Sequence, residues 1–175
     1  LRFINSTKDT DYKLVHRLDK ETSGVLLIAN GNYSAMKLGK AFQNNLIKKT
    51  YLAILCGCPK KPEGMLINKI GKDRSGIFEI VKELEIDGKI AKTYYKVLKV
   101  AKGLSLVEFH PATGRMHQLR FHSKLLKCPI VGDEKYGGKK HVRMMLHAKS
   151  IKIDADIFGK EIRIESKLPE EWLID

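Results

Sequence analysis

Between Thr50 and His110 the chain is a succession of short apolar, β-branched and aromatic runs, most separated by little more than a glycine-bearing turn. The runs are Thr50 to Leu55, Met65 to Ile70, Ile77 to Leu84, Ala91 to Val100 and Leu104 to His110, with turns such as Asp87-Gly88 and Lys102-Gly103 between them. Such connections join neighbouring strands that run in opposite directions, so this stretch predicts an antiparallel meander. Its one longer break, Cys58 to Gly64, is rich in Pro, Lys and Gly and reads as a surface loop.

The flanks complete the element list. Leu14 to Leu18 and Val25 to Ala29 read as strands on either side of a polar turn, Asp19 to Gly24. From Tyr33 to Leu46 the apolar residues Ala35, Leu38, Phe42 and Leu46 recur at helical spacing, with Asn32 as N-cap. Thr113 is placed to cap a second helix from Arg115 to Leu126. Met144 to Ile153 and Glu161 to Ile164 alternate again as strands. No linker and no repeat divides the chain, so the expectation is one α+β domain on a mixed, mainly antiparallel β-sheet flanked by helices and loops.

Charge then narrows the partner. The 33 Lys and Arg against 20 Asp and Glu leave a formal net charge of +13 and a pI near 9.6. A Lys-rich composition explains part of this excess, but an imbalance of this size marks an electrostatic footprint, and nucleic acid is the expected partner. No basic amphipathic helix suggests a membrane surface. No apolar run approaches the roughly 20 residues of a membrane span, and no signal-peptide pattern opens the sequence. Three Cys, an odd number, speak for a reducing compartment. Cys56-Gly57-Cys58 has only Cys128 to join it, short of the four ligands of a structural zinc, so all three read as structural. The expectation is a soluble, cytoplasmic, monomeric protein without metal.

Two short polar segments concentrate the chemistry. Three of only seven Arg, Arg17, Arg115 and Arg120, lie in them. Arg among so many Lys suggests geometry, because a guanidinium forks onto phosphate or carboxylate where an ammonium is a point charge. Spacing alone leaves ordinary surface ion pairs open. His16-Arg17-Leu18-Asp19-Lys20-Glu21-Thr22-Ser23-Gly24 sets one carboxylate among cations at a strand end, which favours its charged, nucleophilic form. By spacing alone, a turn Asp bonded to its own backbone is the stronger reading. The segment is no phosphate-binding loop of the Gly-Lys-Ser/Thr type, and His117 and His122, five apart with no suitably placed Glu, do not form a metalloprotease pair. Tyr51, Tyr94, Tyr95 and Tyr136 fit either base stacking or the core.

At these residues a resemblance enters. His16 to Gly24 is similar to the signature of the RluA-type pseudouridine synthases, whose Asp is essential. Lys49-Thr50-Tyr51-Leu52-Ala53 resembles the second motif, with its active-site Tyr. Gly114-Arg115-Met116-His117-Gln118-Leu119-Arg120-Phe121-His122 resembles the third, and Pro129-Ile130-Val131-Gly132-Asp133-Glu134-Lys135-Tyr136-Gly137 the segment after it. Leu146-His147-Ala148 matches the closing strand, so the likeness runs from about Val15 to Trp172. Gly88-Lys89-Ile90-Ala91-Lys92-Thr93 resembles the RluC and RluD branch, which acts on large-subunit ribosomal RNA. Members of the family also carry an S4-like RNA-binding domain and a first strand with Lys-Pro-x-Gly. Neither occurs here, and the first residue is Leu, so residues 1–175 are expected to be a catalytic domain with that front part missing.

The resemblance implies isomerisation of specific uridines to pseudouridine without a cofactor. Asp19 would attack the anomeric carbon or take the proton from the neighbouring ribose carbon, and must be charged and positioned in either case. Arg120 would pair with Asp19, with Arg115 as second choice. Tyr51 would lie against the uracil, its phenol a candidate for the carbon-5 proton. The uridine must first be flipped out of its stack, and Arg17 would fill its place or grip a phosphate. His16, Arg115 and His117 belong to the expected RNA contacts, with Leu119 and Ile130 either apolar walls for the flipped base or simply core. Two other function classes compete. A non-catalytic RNA- or ribosome-binding module would have no use for Asp19, Tyr51 and Arg120 together, and a metal-dependent RNA hydrolase would be sensitive to chelators.

Overall fold

A computed structural model of the chain describes residues 11–73, 81–84, 86–169 and 172. In chain order its strands are β1 (Tyr12–Leu14), β2 (Ser23–Gly24), β3 (Ile28–Asn30), β4 (Ile47–Cys56) and β5 (Glu63–Lys72). They continue with β6 (Val81–Glu83), β7 (Lys89–Ala101), β8 (Leu104–Pro111), β9 (Leu146–Ile153) and β10 (Ile162–Glu165). Helix α1 (Gly31–Gln43) follows β3, α2 (Gln118–Leu125) follows β8, a 3-10 turn occupies Glu134–Tyr136, and a single-turn α3 (Ala155–Phe158) joins β9 to β10.

The main sheet has the order β10-β9-β4-β8-β7-β5-β6, every neighbouring pair antiparallel, with β2 added in parallel beside β9. This is the α+β, mainly antiparallel architecture that alternation and turn chemistry predict. Strand β4 lies between β8 and β9 and buries four consecutive residues, Leu52 to Leu55, because both of its faces are covered. On β8 every second residue is buried, Ser105, Val107, Phe109 and Pro111, as a sheet with one packed face requires. The main core joins these strands to Leu119, Ile130, Met144 and Trp172. A second core packs Leu38 and Ala41 of α1 on Val25, Leu27, Ile151 and Ile153.

Several boundaries differ from expectation, each for a local reason. The first strand is Tyr12–Leu14, because beyond it His16 leaves the ladder and its Nε2 accepts the Leu27 N–H at 2.8 Å. Helix α1 starts at Gly31, Asn30 being its N-cap by backbone position with no side-chain capping bond, and ends at Gln43, where Asn45 turns to φ 55°. Helix α2 starts at Gln118, three residues late, because His117 stands at φ 50° and cannot be helical. Thr113 caps nothing: its hydroxyl donates to Gln118 Oε1 and accepts the Lys92 N–H. Gln118 Oε1 also takes the Arg115 N–H, so this side chain closes the turn in front of its own helix. The run from Ile77 survives as β6, Val81–Glu83, and its earlier residues lie outside those described. Cys128 is buried, Cys56 half-buried and Cys58 exposed, all three as free thiols. No helix of the described residues is long and apolar enough to cross a membrane.

Buried imidazoles tie this packing to pH. His122 is fully buried and burial lowers its pKa to about 4, while burial and Lys49 do the same for His16. An unfolded His titrates near 6.5, so between about 6.5 and 4 the unfolded chain binds protons that the folded chain refuses, and stability falls as pH drops through that window. Melting temperature is expected to decline across it, and His122→Gln to make the decline shallower. A melting temperature that stays level to pH 4 contradicts this accounting.

Candidate active site

The polar turn from Asp19 is held at the open end of the sheet by two devices. Thr22 N–H donates to the Asp19 carbonyl at 2.9 Å, closing the turn. Immediately after it, β2 pairs in parallel with His147 and Ala148 of β9. Gly24 makes that pairing possible: at φ 112° it needs no Cβ, and one there would collide with the Ala148 carbonyl. The pairing register of β4 against β9 shifts between Thr50 and Tyr51, placing Tyr51 at an irregularity, as is common beside functional clefts. Helix α2 supplies the third wall.

These elements enclose an open cleft of about 770 Å³, lined among others by His16, Arg17, Asp19, Tyr51, Arg115, His117, Leu119 and Arg120. Eight of the nine residues expected at the site therefore meet in one place. Ile130 does not. It is fully buried in the main core and bridges Leu55, which corrects its expected place as a wall for the base. The unbroken apolar run Cys128-Pro129-Ile130-Val131 already carries the signature of a buried segment. His16 needs a second correction. It lines the cleft, but its Nε2 is taken by Leu27 and its ring stacks on Phe42 at 4.6 Å, so it braces the wall and that nitrogen is not offered to RNA.

Arg120 is the buried charge of the site, 3% exposed. Its fork does not embrace Asp19. Nε and NH2 donate to Asp133 at 2.8 and 2.6 Å, and Asp133 is itself buried. The Tyr136 ring covers the guanidinium at 5.0 Å. What is left, NH1, faces Asp19 at 3.8 Å and Glu21 at 4.0 Å. Asp133 thus orients Arg120, and Arg120 presents one cationic edge to the Asp19 carboxylate, which is 20% exposed. Tyr51 lies near enough that burial and the Asp19 charge push its phenol up to about 12, so it is protonated at any working pH.

Sequence reasoning passed over Lys49, though the spacing to Tyr51 on one strand is the signal that puts both on the same face. Its ammonium reaches the Thr113 carbonyl at 3.3 Å, and burial together with Arg115 lowers its pKa. Lys49, Lys72, Arg17 and Arg115 make the cleft rim cationic around a single negative floor. Asp133 and Tyr136 were likewise missed as site residues, since neither lines the cleft and both act from behind Arg120. The other tyrosines resolve differently: Tyr95 is core, and Tyr94 donates to Glu63 on the far strands.

The family model described as RNA pseudouridylate synthase matches residues 2–125, and the chain belongs to that family. It is the family that the motifs from Val15 onward resemble. The chain is 51% identical over 174 residues to ribosomal large subunit pseudouridine synthase C of Rickettsia bellii, covering 97% of this chain and 58% of that protein. It is 45% identical to an uncharacterized RNA pseudouridine synthase of Zymomonas mobilis, over 91% of this chain and 74% of that one. Among solved structures, human RNA pseudouridylate synthase domain containing 1 superposes with a TM-score of 0.80 at 30% identity, covering 90% of this chain and 69% of the other. The chain thus spans little more than half the length of its Rickettsia relative.

Gly24 gives this geometry a direct check. Gly24→Ala adds a Cβ against backbone at a positive φ, where nothing can give cheaply, and is expected to lower stability by about 2 kcal/mol or more. Thermal melting reads the loss, and an unchanged midpoint would show that the Asp19 turn is not anchored through β2.

Proposed function

We propose that this chain is the catalytic domain of an RNA pseudouridine synthase that isomerises specific uridines, with large-subunit ribosomal RNA as substrate and the cytoplasm as its place of work. The observation that carries the reading is the Asp19 carboxylate beside a buried guanidinium whose own geometry is fixed by a second carboxylate. A merely RNA-binding surface has no need for a negative floor under a cationic rim. The name of the Rickettsia relative supports the choice of RNA, and we take the chain to act as a monomer.

In this reading the target uridine leaves its stack at a cost of a few kcal/mol and enters the cleft with its ribose over Asp19. Arg17, exposed beside the turn, fills the vacated place or holds a flanking phosphate. Lys49 and Arg115 take the strand's phosphates, and Leu119 packs on the base. Asp19 attacks the anomeric carbon, or takes the proton of the neighbouring ribose carbon, and the electron pair of the broken carbon–nitrogen bond goes to the uracil. The uracil turns and its carbon 5 bonds to the anomeric carbon, while Asp19 leaves as a carboxylate or, in the second route, returns its proton to the ribose carbon. The carbon-5 proton then passes to water. Burial and the Asp19 charge push the Tyr51 phenol up to about 12, so it holds its own proton near neutral pH. We assign it to packing and hydrogen-bond donation against the uracil.

Asp19→Asn is expected to abolish tritium release from carbon 5 of labelled uridine in ribosomal RNA while melting and RNA affinity stay near wild type, because an amide keeps the shape and loses the nucleophile. Release at the wild-type rate removes Asp19 from its role. Affinity should also fall steeply with salt: four cations at the rim correspond to a slope of roughly −3 in log K against log salt for a single strand. A flat titration argues that RNA does not enter through this cleft.

A further inference from the structure

His117 opens helix α2 in a left-handed conformation, φ 50° and ψ 22°. Gly or Asn adopts that geometry more cheaply, and non-glycine residues held in it gather at functional sites. The side chain therefore has to be accounted for. Its Nδ1 lies 3.0 Å from the Tyr136 hydroxyl, and the two rings meet edge to face at 5.7 Å. The same hydroxyl lies 2.7 Å from the backbone nitrogen of Val81.

The protons can be counted. A backbone N–H only donates, so the Tyr136 oxygen accepts from Val81. The phenol is almost fully buried, and burial pushes it up to about 12, so it keeps its single proton. Among the described residues that proton has one acceptor, Nδ1 of His117. Burial and the Arg120 guanidinium lower the His117 pKa against the opposing influence of Asp19 and Asp133, with Lys135 adding to the lowering, so the ring is neutral. A neutral imidazole whose Nδ1 accepts carries its hydrogen on Nε2. Nε2 has no hydrogen bond among the described residues, and His117 lines the cleft beside Asp19, whereas Tyr136 stands behind it.

Resting on the isomerase reading above, we propose that His117 is a catalytic hydrogen-bond donor whose Nε2–H engages a carbonyl oxygen of the uracil, and that Tyr136 is the positioning residue that fixes this tautomer. Breaking the bond between the anomeric carbon and N1 sends its electron pair into the uracil, where N1 and the two carbonyl oxygens share it. A donor aimed at one of those oxygens stabilises the departing base. It must not surrender its proton, because a neutralised uracil would no longer attack through carbon 5. A neutral imidazole meets both demands, polarising a carbonyl without protonating it. No proton moves at His117, and none is needed from Tyr136.

The test uses the chain as it stands and a large-subunit ribosomal RNA transcript carrying tritium at carbon 5 of uridine. Long-range proton–nitrogen correlation spectra should show His117 neutral with hydrogen on Nε2, and Tyr136→Phe should release it into a mixture of tautomers. In single-turnover reactions His117→Asn should slow tritium release about a hundredfold, the scale of one lost transition-state donor. Its melting temperature should hold or rise, since Asn tolerates the left-handed turn. Tyr136→Phe should slow release less and respond to pH where the wild type does not. Hydrogen on Nδ1 in the wild type, or a His117→Asn rate within twofold of it, overturns the proposal. Absence of release from the wild type itself overturns the isomerase reading, and the base contact with it, whereas wild-type release with an indifferent His117 variant overturns the base contact alone.

Discussion

The buried pair of Arg120 and Asp133 is the constraint on which the site depends. Removing an ion from water costs several kcal/mol, and a buried pair rarely stabilises a fold more than apolar residues of the same volume would. What the pair supplies is direction. With two guanidinium nitrogens committed to Asp133 and the Tyr136 ring over the group, the remaining edge has one place to point, and the Asp19 turn lies there. The second anchor is the turn itself, closed by Thr22 and tied through Gly24 to β9. The distance between Asp19 and Arg120 is therefore set from both sides by backbone and buried polar contacts, as a preorganised site requires.

Around that centre the tyrosines and histidines are kept uncharged. Tyr51 and Tyr136 are raised to about 12, and His16, His117 and His122 are lowered. Burial is the leading cause each time. The Thr93 hydroxyl accepts from Gln118 Nε2 and meets His122 Nδ1, each at 2.8 Å. The cleft combines one charged carboxylate, cations at its rim and neutral donors between them. That suits a polyanionic strand whose base must be gripped without being protonated.

Much of this was legible in the sequence, and the gaps have physical causes. Alternation and glycine turns identify the sheet because half-buried antiparallel strands leave a period of two. The motifs bring Asp19, Tyr51 and Arg120 to attention. Asp133 escaped because its role is to hold another side chain across a gap of thirteen residues, and no local pattern reports that. Periodicity placed α2 three residues early because it cannot see a left-handed His117. Ile130 was assigned to the cleft by its motif although its apolar neighbours marked it as core. His16 sits beside Arg17 in the signature, yet its ring nitrogen closes a backbone gap.

If the pair exists to aim at Asp19 and not to hold the fold, stability and turnover can be separated. The measurement is melting temperature and single-turnover tritium release for Asp133→Leu and for Asp133→Leu combined with Arg120→Met. The single variant leaves a buried guanidinium without its partner and should lose about 3–5 kcal/mol. The double variant, apolar on both sides, should recover most of the melting temperature while tritium release stays absent. Release that returns together with folding would contradict the account and reduce the pair to a structural contact.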